Sequence, residues 1–251
     1  MPRIKVSCFC LLAFYSFFFR ASCEPIASED IIFYLSFDDR TVMADMSCGE
    51  PRTVNKYGSL NFAEGREGYS LICGKGGGKL FFEIKNNIDF DRPGTVLFWF
   101  FPEKDWIRKD GGTHCEFFGT EGGMKGYFGF QLESFPKDRP PQERECKVLA
   151  MYFPDMADSS VNMATPNSAA EKWHLAAAAW SVDTIYISID GKPFASKKLS
   201  AFMKQALFKE QVLALGSISG APYRLDDFTI YRRKLDNIEI LEIWNKNRKG
   251  K

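Results

Sequence analysis

Hydrophobic and polar residues alternate with a period of two over several short stretches of the chain. In 173–180 alternate residues fall on opposite faces of an extended segment, and in 184–189 three isoleucines share one face. Asp190-Gly191 follows as a two-residue hairpin signal, because a type I′ turn requires positive φ at both central residues. The segment 173–196 therefore predicts a three-stranded antiparallel meander whose hydrophobic face has to be covered by another sheet.

The same alternation recurs along most of the chain. Further strands are predicted at 30–38, 53–56, 60–63, 69–73, 80–84, 94–102, 114–119, 126–134, 147–153, 211–216 and 223–231. The segment 94–102 is hydrophobic on both faces, which predicts either a central strand buried on both sides or a strand below an apolar groove. The Pro-rich segment 135–145 and the polar segment 154–171 are predicted to be loops.

A helical pattern appears near the C-terminus. Asp236 is a good N-cap, and Glu239 stands three residues later, as in a capping box. Hydrophobic residues at 240, 241, 243 and 244 then give the segment one buried side. These features predict a short C-terminal helix packed on an all-β domain.

The first 23 residues have the composition of a secretory leader. Arg3 and Lys5 precede a mostly apolar run of 14 residues, and Ala21-Ser22-Cys23 offers small residues before a cleavage site. Fourteen residues are too few to span a bilayer comfortably. We predict a signal peptide at 1–23, a single domain at 24–251 and a secreted or cell-envelope location, with a lipid anchor on Cys23 as the weaker alternative.

Charge argues against two classes of partner. Removal of the leader takes Arg3, Lys5 and Arg20 from the 33 basic residues and nothing from the 32 acidic residues, which leaves a net charge of −2. Such a balance provides no general field for nucleic acid or for an anionic membrane surface. Neither partner is predicted.

Four cysteines follow the leader: Cys48, Cys73, Cys115 and Cys146. An even number in a secreted chain predicts two disulfides, although four cysteines allow three pairings. Spacing favours Cys48–Cys73 and Cys115–Cys146, each closing a loop that would contribute about 3 kcal/mol. No C-x-x-C spacing occurs among the four, so a zinc site is not predicted.

Four motifs follow one another along the mature chain. They are YLSFD (34–38) with ADMS (44–47), GTVLFWFFP (94–102), WHLAA (173–177) to IDGK (189–192), and LDDFTIY (225–231) to LDNIEI (235–240). In this order they resemble the laminin G-like jelly rolls of the concanavalin A-like lectin/glucanase superfamily. The resemblance implies an all-β, antiparallel two-sheet jelly-roll sandwich with a short C-terminal helix. It says little about the ligand, because one fold hosts many functions.

Catalysis has little support in the sequence. The superfamily includes glycoside hydrolases whose acids alternate along one strand in an E-x-D-x-(x)-E motif, and this chain has no such run. Only two histidines occur, His114 and His174, and no G-x-S-x-G elbow is present. We predict a non-catalytic protein, with a glycoside hydrolase that uses an unrecognised acid pair as the alternative.

The resemblance implies a binding module that recognises a glycan through rim loops or the concave sheet. A sugar site needs aromatic side chains for C–H faces and polar groups for hydroxyls. The candidates are Trp106, Trp99, Tyr152 and Trp180, and Trp106 is the most exposed by its charged surroundings. The alternative is an adhesion or structural domain that binds an extracellular protein.

Relatives of this fold hold a structural Ca²⁺ where the first and last strands meet. Asp38, Asp45 and Asp226 stand in the matching motifs, and carboxylates are suitable ligands for this ion. The resemblance thus implies a possible calcium site at these three residues. The alternative is that the three acids cap turns.

Overall fold

The structure is a computed structural model of the 251-residue chain. It describes residues 28–104, 113–122, 127–134, 146–152, 159–165, 170–199, 202 and 204–248. The predicted leader, the loop 135–145 and Trp106 lie outside the described residues, so the predictions made for them stay predictions.

The described residues form sixteen β-strands, one α-helix and two short 3₁₀ turns, Ser28–Asp30 and Gln205–Leu207. The strands are β1 (Ile31–Leu35), β2 (Met46–Ser47), β3 (Asn55–Gly58), β4 (Phe62–Glu64), β5 (Tyr69–Cys73), β6 (Gly78–Glu83), β7 (Gly94–Pro102), β8 (Thr113–Glu121), β9 (Phe128–Ser134), β10 (Cys146–Tyr152), β11 (Ser159–Thr165), β12 (His174–Trp180), β13 (Thr184–Ile189), β14 (Ala195–Lys198), β15 (Val212–Gly216) and β16 (Tyr223–Tyr231). The helix is α1 (Asn237–Arg248).

The strands build two antiparallel sheets. Sheet A has the order β14-β13-β12-β7-β16-β1-β2, with β5 paired to β16 and β4 to β5. Sheet B has the order β11-β10-β9-β8-β15-β6-β3. The prediction of an all-β, two-sheet antiparallel sandwich with a short C-terminal helix is confirmed.

The main hydrophobic core lies between the two sheets and is dominated by phenylalanine. Phe98 of β7 is fully buried at its centre, with ring-centroid distances of 5.4 Å to Phe117 and 5.3 Å to Phe130 on sheet B, and 6.1 Å to Phe228 on sheet A. Such contacts between aromatic rings add to the free energy gained by burying their area. The core therefore ties the central strands of both sheets together.

The outer face of sheet A carries a second hydrophobic cluster, which α1 covers. Leu97 and Trp99 of β7 and Leu175 of β12 are buried there against Ile240 of the helix. The strand β7 is consequently buried on both sides, which selects the first of its two predicted environments. No groove remains over Trp99.

The meander predicted at 173–196 is present as β12, β13 and β14. Asp190 and Gly191 have φ values of 55° and 72°, as a type I′ turn requires. Ser181 N donates a hydrogen bond to Thr184 O (2.8 Å) and closes the preceding reversal. At Gly191 a side chain would meet the Trp244 Cβ at 3.1 Å, so this turn also makes room for α1.

Strand β11 is a difference from the sequence prediction, which treated 154–171 as one loop. Its seven residues pair with β10 along their whole length, from Cys146↔Thr165 to Tyr152↔Ser159. The segment is polar, and β11 is an edge strand with one neighbour. Strand pairing decided its conformation where the local pattern gave no signal.

The predicted Cys48–Cys73 disulfide is wrong, because the structure holds both residues as thiols. Cys48 lies 3.9 Å from an Arg232 nitrogen, next to the C-terminal end of β16. Cys73 pairs with Tyr223 at the N-terminal end of the same strand. Since a strand rises about 3.3 Å per residue, the two cysteines are far beyond the Cα separation of about 7 Å that a disulfide tolerates.

The sheet register does not support a Cys115–Cys146 disulfide either. The two residues lie on β8 and β10, and β9 runs between these strands. Two strand spacings amount to about 9.6 Å between backbones, which exceeds the reach of a disulfide. The spacing of the two cysteines along the chain did not show that β9 separates them.

Candidate functional site

Trp99 supports the fold and offers no platform for a ligand. The guanidinium of Arg66 lies 3.7 Å from its ring centre, and Trp244 of α1 stacks on it at 5.6 Å with an interplanar angle of 21°. These contacts leave Trp99 3% exposed. The sequence prediction for this residue is corrected, because α1 covers the face on which its side chain lies.

Trp180 is also buried, with 1% exposure, but it lies below a cleft. Its Nε1 donates a hydrogen bond to Asp89 O (3.3 Å), and its ring contacts Phe90 at 5.3 Å. Tyr152 ends β10, and its side chain is outside the described structure. Among the described side chains of the predicted aromatic set, Trp180 is the one that borders open space.

Two of the three predicted calcium ligands, Asp45 and Asp226, accept hydrogen bonds from the backbone. Asp45 Oδ2 accepts a hydrogen bond from Ser36 N (2.7 Å), and Asp226 Oδ2 accepts one from Arg66 N (2.7 Å). Asp226 Oδ1 also accepts from Asp227 N (3.0 Å). These contacts are those of acids that hold turns.

Asp227, which the sequence did not single out, completes this group. It accepts hydrogen bonds from Tyr34 Oη (2.8 Å) and from an Arg66 guanidinium nitrogen (3.2 Å). Burial, followed by the charge of Asp227, raises the pKa of Asp226 to about 8. Burial, again followed by Asp227, raises the pKa of Asp38.

These acids do not fit a calcium site. Bound Ca²⁺ requires several ionised or carbonyl oxygens aimed at one point. Within the described part of the chain, no three acid, histidine or cysteine side chains are arranged to hold a metal ion. The cation beside Asp227 is Arg66 itself.

The outer face of sheet B carries a trough of small residues. Ala214, Gly119 and Gly129 lie side by side on β15, β8 and β9, with their side-chain positions pointing away from the core that Phe118 and Phe130 enter. A Cβ on Gly119 would meet the Tyr127 hydroxyl at 2.8 Å, and one on Gly129 would overlap with it. Glycine is therefore required for the Tyr127 ring to lie flat across these strands.

Polar side chains form a connected group beside this trough, which we call the Lys79 cluster: Lys79, Glu116, Glu121 and Tyr127. Lys79 Nζ lies 3.1 Å from Glu116 Oε2 and also contacts Glu121 Oε1. Tyr127 Oη donates a hydrogen bond to Glu116 Oε1 (2.9 Å). Gly216 pairs with Lys79 and has a φ of 80°, and a Cβ there would meet the buried Cys73 Sγ at 2.8 Å.

A β-bulge orients the cluster. Glu116 pairs with Gln131, and Phe118 pairs with Phe130, so Phe117 is an extra residue in β8. Phe117 and Phe118 both enter the core, while Glu116 stays on the outer face. The bulge thereby brings Glu116 and Glu121, five residues apart, to the same lysine.

The electrostatics of the cluster keep its hydrogen-bond donors protonated. Burial, followed by the charge of Glu116, raises the pKa of Tyr127 far above its usual range. Burial lowers the pKa of Lys79, but the two glutamates more than offset it, and the net pKa is raised. The cluster combines a cation, a phenol and two carboxylates, with a balance of −1.

An exposed aromatic residue adjoins the cluster. Tyr57 of the edge strand β3 pairs directly with Lys79 and is 55% exposed. Its ring packs edge-on against Phe81 with a centroid distance of 5.3 Å. Phe81 lies on the same outer face and is buried beneath it.

A separate cavity, which we call the rim cleft, opens at one end of the sandwich with a volume of about 960 Å³. It lies between the loop 84–92 and the segment 205–209. Its charged lining consists of Lys85, Arg92, Lys209, Arg232, Asp89 and Asp91, and its remaining lining includes Ile32, Ile84, Ile88 and Trp180.

The walls of the rim cleft are fixed to each other. Gln205 N donates to Asp91 Oδ1 (2.9 Å), and Gln205 Oε1 accepts from Phe90 N (2.8 Å). The Phe90 ring stacks on Phe208 at 3.9 Å. The loop and the segment are thus joined by polar and aromatic contacts, and the cleft is formed without a ligand.

Neither surface was found from the sequence. Lys79 and Glu116 are 37 residues apart, and the spacing of Glu116 and Glu121 places them on one face only because of the bulge. The run EFFGTE at 116–121, with two adjacent phenylalanines between the acids, was the available signal. The rim cleft joins separate segments that no local pattern connects.

No protein-family model matches the chain, and no curated protein matches it either. No helix among the described residues is long and apolar enough to cross a membrane.

Solved structures do resemble it. The binding domain of botulinum neurotoxin DC in complex with SialylT has a TM-score of 0.61 and 15% identity, covering 87% of this chain and 52% of its own. The same domain with rat synaptotagmin II has a TM-score of 0.60 and 14% identity over 87% and 52%. A structure of botulinum neurotoxin type C, whose cell entry depends on two ganglioside molecules, has a TM-score of 0.61 and 14% identity over 87% and 51%.

The chain spans about half the length of these neurotoxin domains. At such low identity the similarity establishes the fold alone. The chain is therefore similar in fold to receptor-binding β-sandwiches.

Proposed function

We propose that this protein is a non-catalytic binding module for carbohydrate and that the Lys79 cluster with Tyr57 is its binding surface. The observation that carries the proposal is the connected group of one ammonium, one phenol and two carboxylates on the outer face of sheet B. Sugar hydroxyls both donate and accept hydrogen bonds, and this group offers acceptors at Glu116 and Glu121 and donors at Lys79 and Tyr127.

Tyr57 supplies the second requirement of a sugar site. A pyranose packs its C–H face on an aromatic ring while its hydroxyls turn to polar neighbours. Tyr57 is exposed, and its register with Lys79 places both side chains on one face. The ring is supported by Phe81, which limits its freedom before binding.

The relatives in fold support a binding role. One neurotoxin domain was determined with SialylT, and another neurotoxin enters cells by interaction with gangliosides. A location outside the cell is part of the proposal, and it rests on the predicted leader at 1–23.

A non-catalytic role follows from the arrangement of the two glutamates. In a retaining glycosidase both carboxyl groups face the scissile bond and act on it. Here Lys79 lies between Glu116 and Glu121 and bonds to both. We propose that the pair recognises hydroxyls and carries out no hydrolysis.

A protein partner is the second candidate. All four residues of the edge strand β3 are exposed, and Val54 and Ile218 are exposed near it at 47% and 50%. An open edge of this kind accepts an added strand from another chain. A neurotoxin binding domain of similar fold was determined in complex with a protein, rat synaptotagmin II.

The test is a titration of the purified protein with a panel of neutral oligosaccharides, followed by calorimetry. We expect binding of at least one oligosaccharide, with affinity lowered about fivefold in Tyr57→Ala, since an aromatic contact contributes about 1 kcal/mol. We expect a comparable loss in Glu121→Gln. Val182→Ala is the matched control, because Val182 is similarly exposed and lies in the turn between β12 and β13.

Three results would contradict the proposal. They are the absence of binding to every oligosaccharide, equal binding by Tyr57→Ala and Val182→Ala, and cleavage of the bound oligosaccharide. Capture of a protein partner that Tyr57→Ala abolishes, without glycan binding, would favour the second candidate instead.

A further inference from the structure

The rim cleft carries a concentration of positive charge that the chain as a whole does not have. Four basic and two acidic side chains line it, a balance of +2, whereas the entire chain of 251 residues has a formal net charge of +1. All other residues of the chain together therefore carry a formal net charge of −1. A local excess of this kind attracts anions.

Both acidic side chains of the rim cleft accept hydrogen bonds from backbone N–H groups in its walls. Asp91 Oδ1 accepts a hydrogen bond from Gln205 N (2.9 Å), and Asp89 Oδ1 accepts one from Asp91 N (2.9 Å). Asp89 Oδ2 lies 3.8 Å from Arg92 Nε, in a pair that is largely exposed. The two acids thus stabilise the loop 84–92 and its contact with Gln205.

The other three basic side chains of the rim cleft are not paired with a described acid in this way. Lys85, Lys209 and Arg232 are all exposed, and none forms an ion pair with any residue that the structure describes. Arg232 contacts Cys48 Sγ at 3.9 Å, which is a weak contact for a guanidinium. Three cations from three segments of the chain consequently line one cavity without an ion pair to any described residue.

The rest of the lining limits the kind of anion. Ile84, Ile88 and Trp180 give the cleft an apolar component, and Asn86 and Gln205 add neutral polar groups. A volume of about 960 Å³ is within the range of ligand sites for small organic molecules and is large for a simple inorganic ion. The lining suits a ligand that joins an anionic group to a ring with apolar and polar faces.

We propose that the rim cleft is a second binding site, which takes an acidic sugar unit and holds its carboxylate with Lys85, Lys209 and Arg232. The site rests on the proposed function for its preference for sugars, and it uses residues separate from the Lys79 cluster. It makes the protein selective for glycans that contain acidic units. The salt dependence of binding follows directly, because exposed charges are screened by ions.

The test compares glucuronate with glucose, which differ in the carboxylate at C6, by calorimetry at low and at moderate salt. We expect glucuronate to bind the wild-type protein and to lose affinity as salt rises. The double variant Lys209→Gln/Arg232→Gln should bind glucuronate roughly fivefold to tenfold more weakly, since two partly exposed charge contacts are removed. Lys197→Gln, an exposed lysine on β14, is the matched control and should bind normally.

Two outcomes would overturn the inference. One is binding of glucose and glucuronate with equal affinity in both wild type and the double variant. The other is binding of inorganic sulfate that the double variant weakens, without any binding of glucuronate, which would make the cleft an anion site with no preference for sugars.

The variant Tyr57→Ala separates this inference from the proposed function. It should leave glucuronate binding unchanged while it weakens neutral oligosaccharides. Glucuronate binding without any binding of neutral oligosaccharides would sustain the cleft and refute the Lys79 surface.

Discussion

Replacement of Trp244 by alanine tests how strongly α1 is bound to sheet A. Trp244 stacks on the buried Trp99 at 5.6 Å and its Cβ approaches the Asp190-Gly191 turn. Truncation of a fully buried tryptophan costs about 3–5 kcal/mol. Because Trp244 is only partly buried, we expect a loss of about 2–3 kcal/mol in the free energy of unfolding, including about 1 kcal/mol for the ring contact.

The assay is equilibrium unfolding in guanidinium chloride followed by far-ultraviolet circular dichroism. Ile238→Ala is the matched control, because Ile238 lies on the same helix and is 56% exposed, and it should change stability by less than about 0.5 kcal/mol. Binding of oligosaccharides should persist in Trp244→Ala under native conditions. Equal stability of the two variants would refute the packing of α1 over Trp99, and would reopen Trp99 as a ligand platform.

Three further predictions concern the buried acids and the thiols. Burial raises the pKa of Asp226 from 3.8 to about 8. Between about pH 4 and pH 8 the carboxyl group is therefore ionised in the unfolded chain and protonated in the folded protein, so the free energy of unfolding falls as pH rises. Asp226→Asn should remove this pH dependence and raise the free energy of unfolding by at most about 5 kcal/mol near pH 8. If the melting temperatures of the two proteins change in parallel from pH 5 to 8, the raised pKa is contradicted. Since Arg66 and backbone N–H groups engage Asp226 and Asp227, EDTA should leave the melting temperature unchanged, and a rise on addition of CaCl₂ would show a calcium site. Iodoacetamide should label Cys48 in the native protein and Cys73 only after unfolding; an unlabelled native Cys48 would contradict its exposure as a thiol.

The sequence correctly predicted those features that depend on residues close together in the chain, such as strand ends and helix caps. The ends of β7 and β16 agree with the predicted strands 94–102 and 223–231. In the capping box, Asp236 Oδ1 accepts from Glu239 N (2.9 Å), and Glu239 Oε2 accepts from Asp236 N (2.8 Å). These features depend on spacing and turn chemistry alone.

Features that depend on strand order were not readable. The period of two placed Trp99 on a hydrophobic face, but it did not show that α1, more than a hundred residues later, covers that face. The cysteine spacing gave short loops, whereas pairing of β16 with β5 and the position of β9 keep the partners apart. A pattern of residues reports faces and ends of strands, and pairing decides which faces meet.

The site was missed for the same reason. In a regular strand, Glu116 and Glu121 would lie on opposite faces of the sheet because they are five residues apart. The bulge at Phe117 places them on the same face. The aromatic candidates were chosen mainly by residue type. Two of them, Trp99 and Trp180, have large hydrophobic side chains that are buried in the structure. The exposed aromatic beside the polar cluster is Tyr57, on a short edge strand with no strong pattern.

The proposed carbohydrate-binding surface is tested most directly by a map of backbone amide chemical shifts in the isotopically labelled protein during titration with an oligosaccharide that binds it. We predict that the shifts change along the outer face of sheet B, around Tyr57, Lys79 and Glu121. Shifts that change instead around Trp99 and α1, or no saturable change with any oligosaccharide, would contradict it.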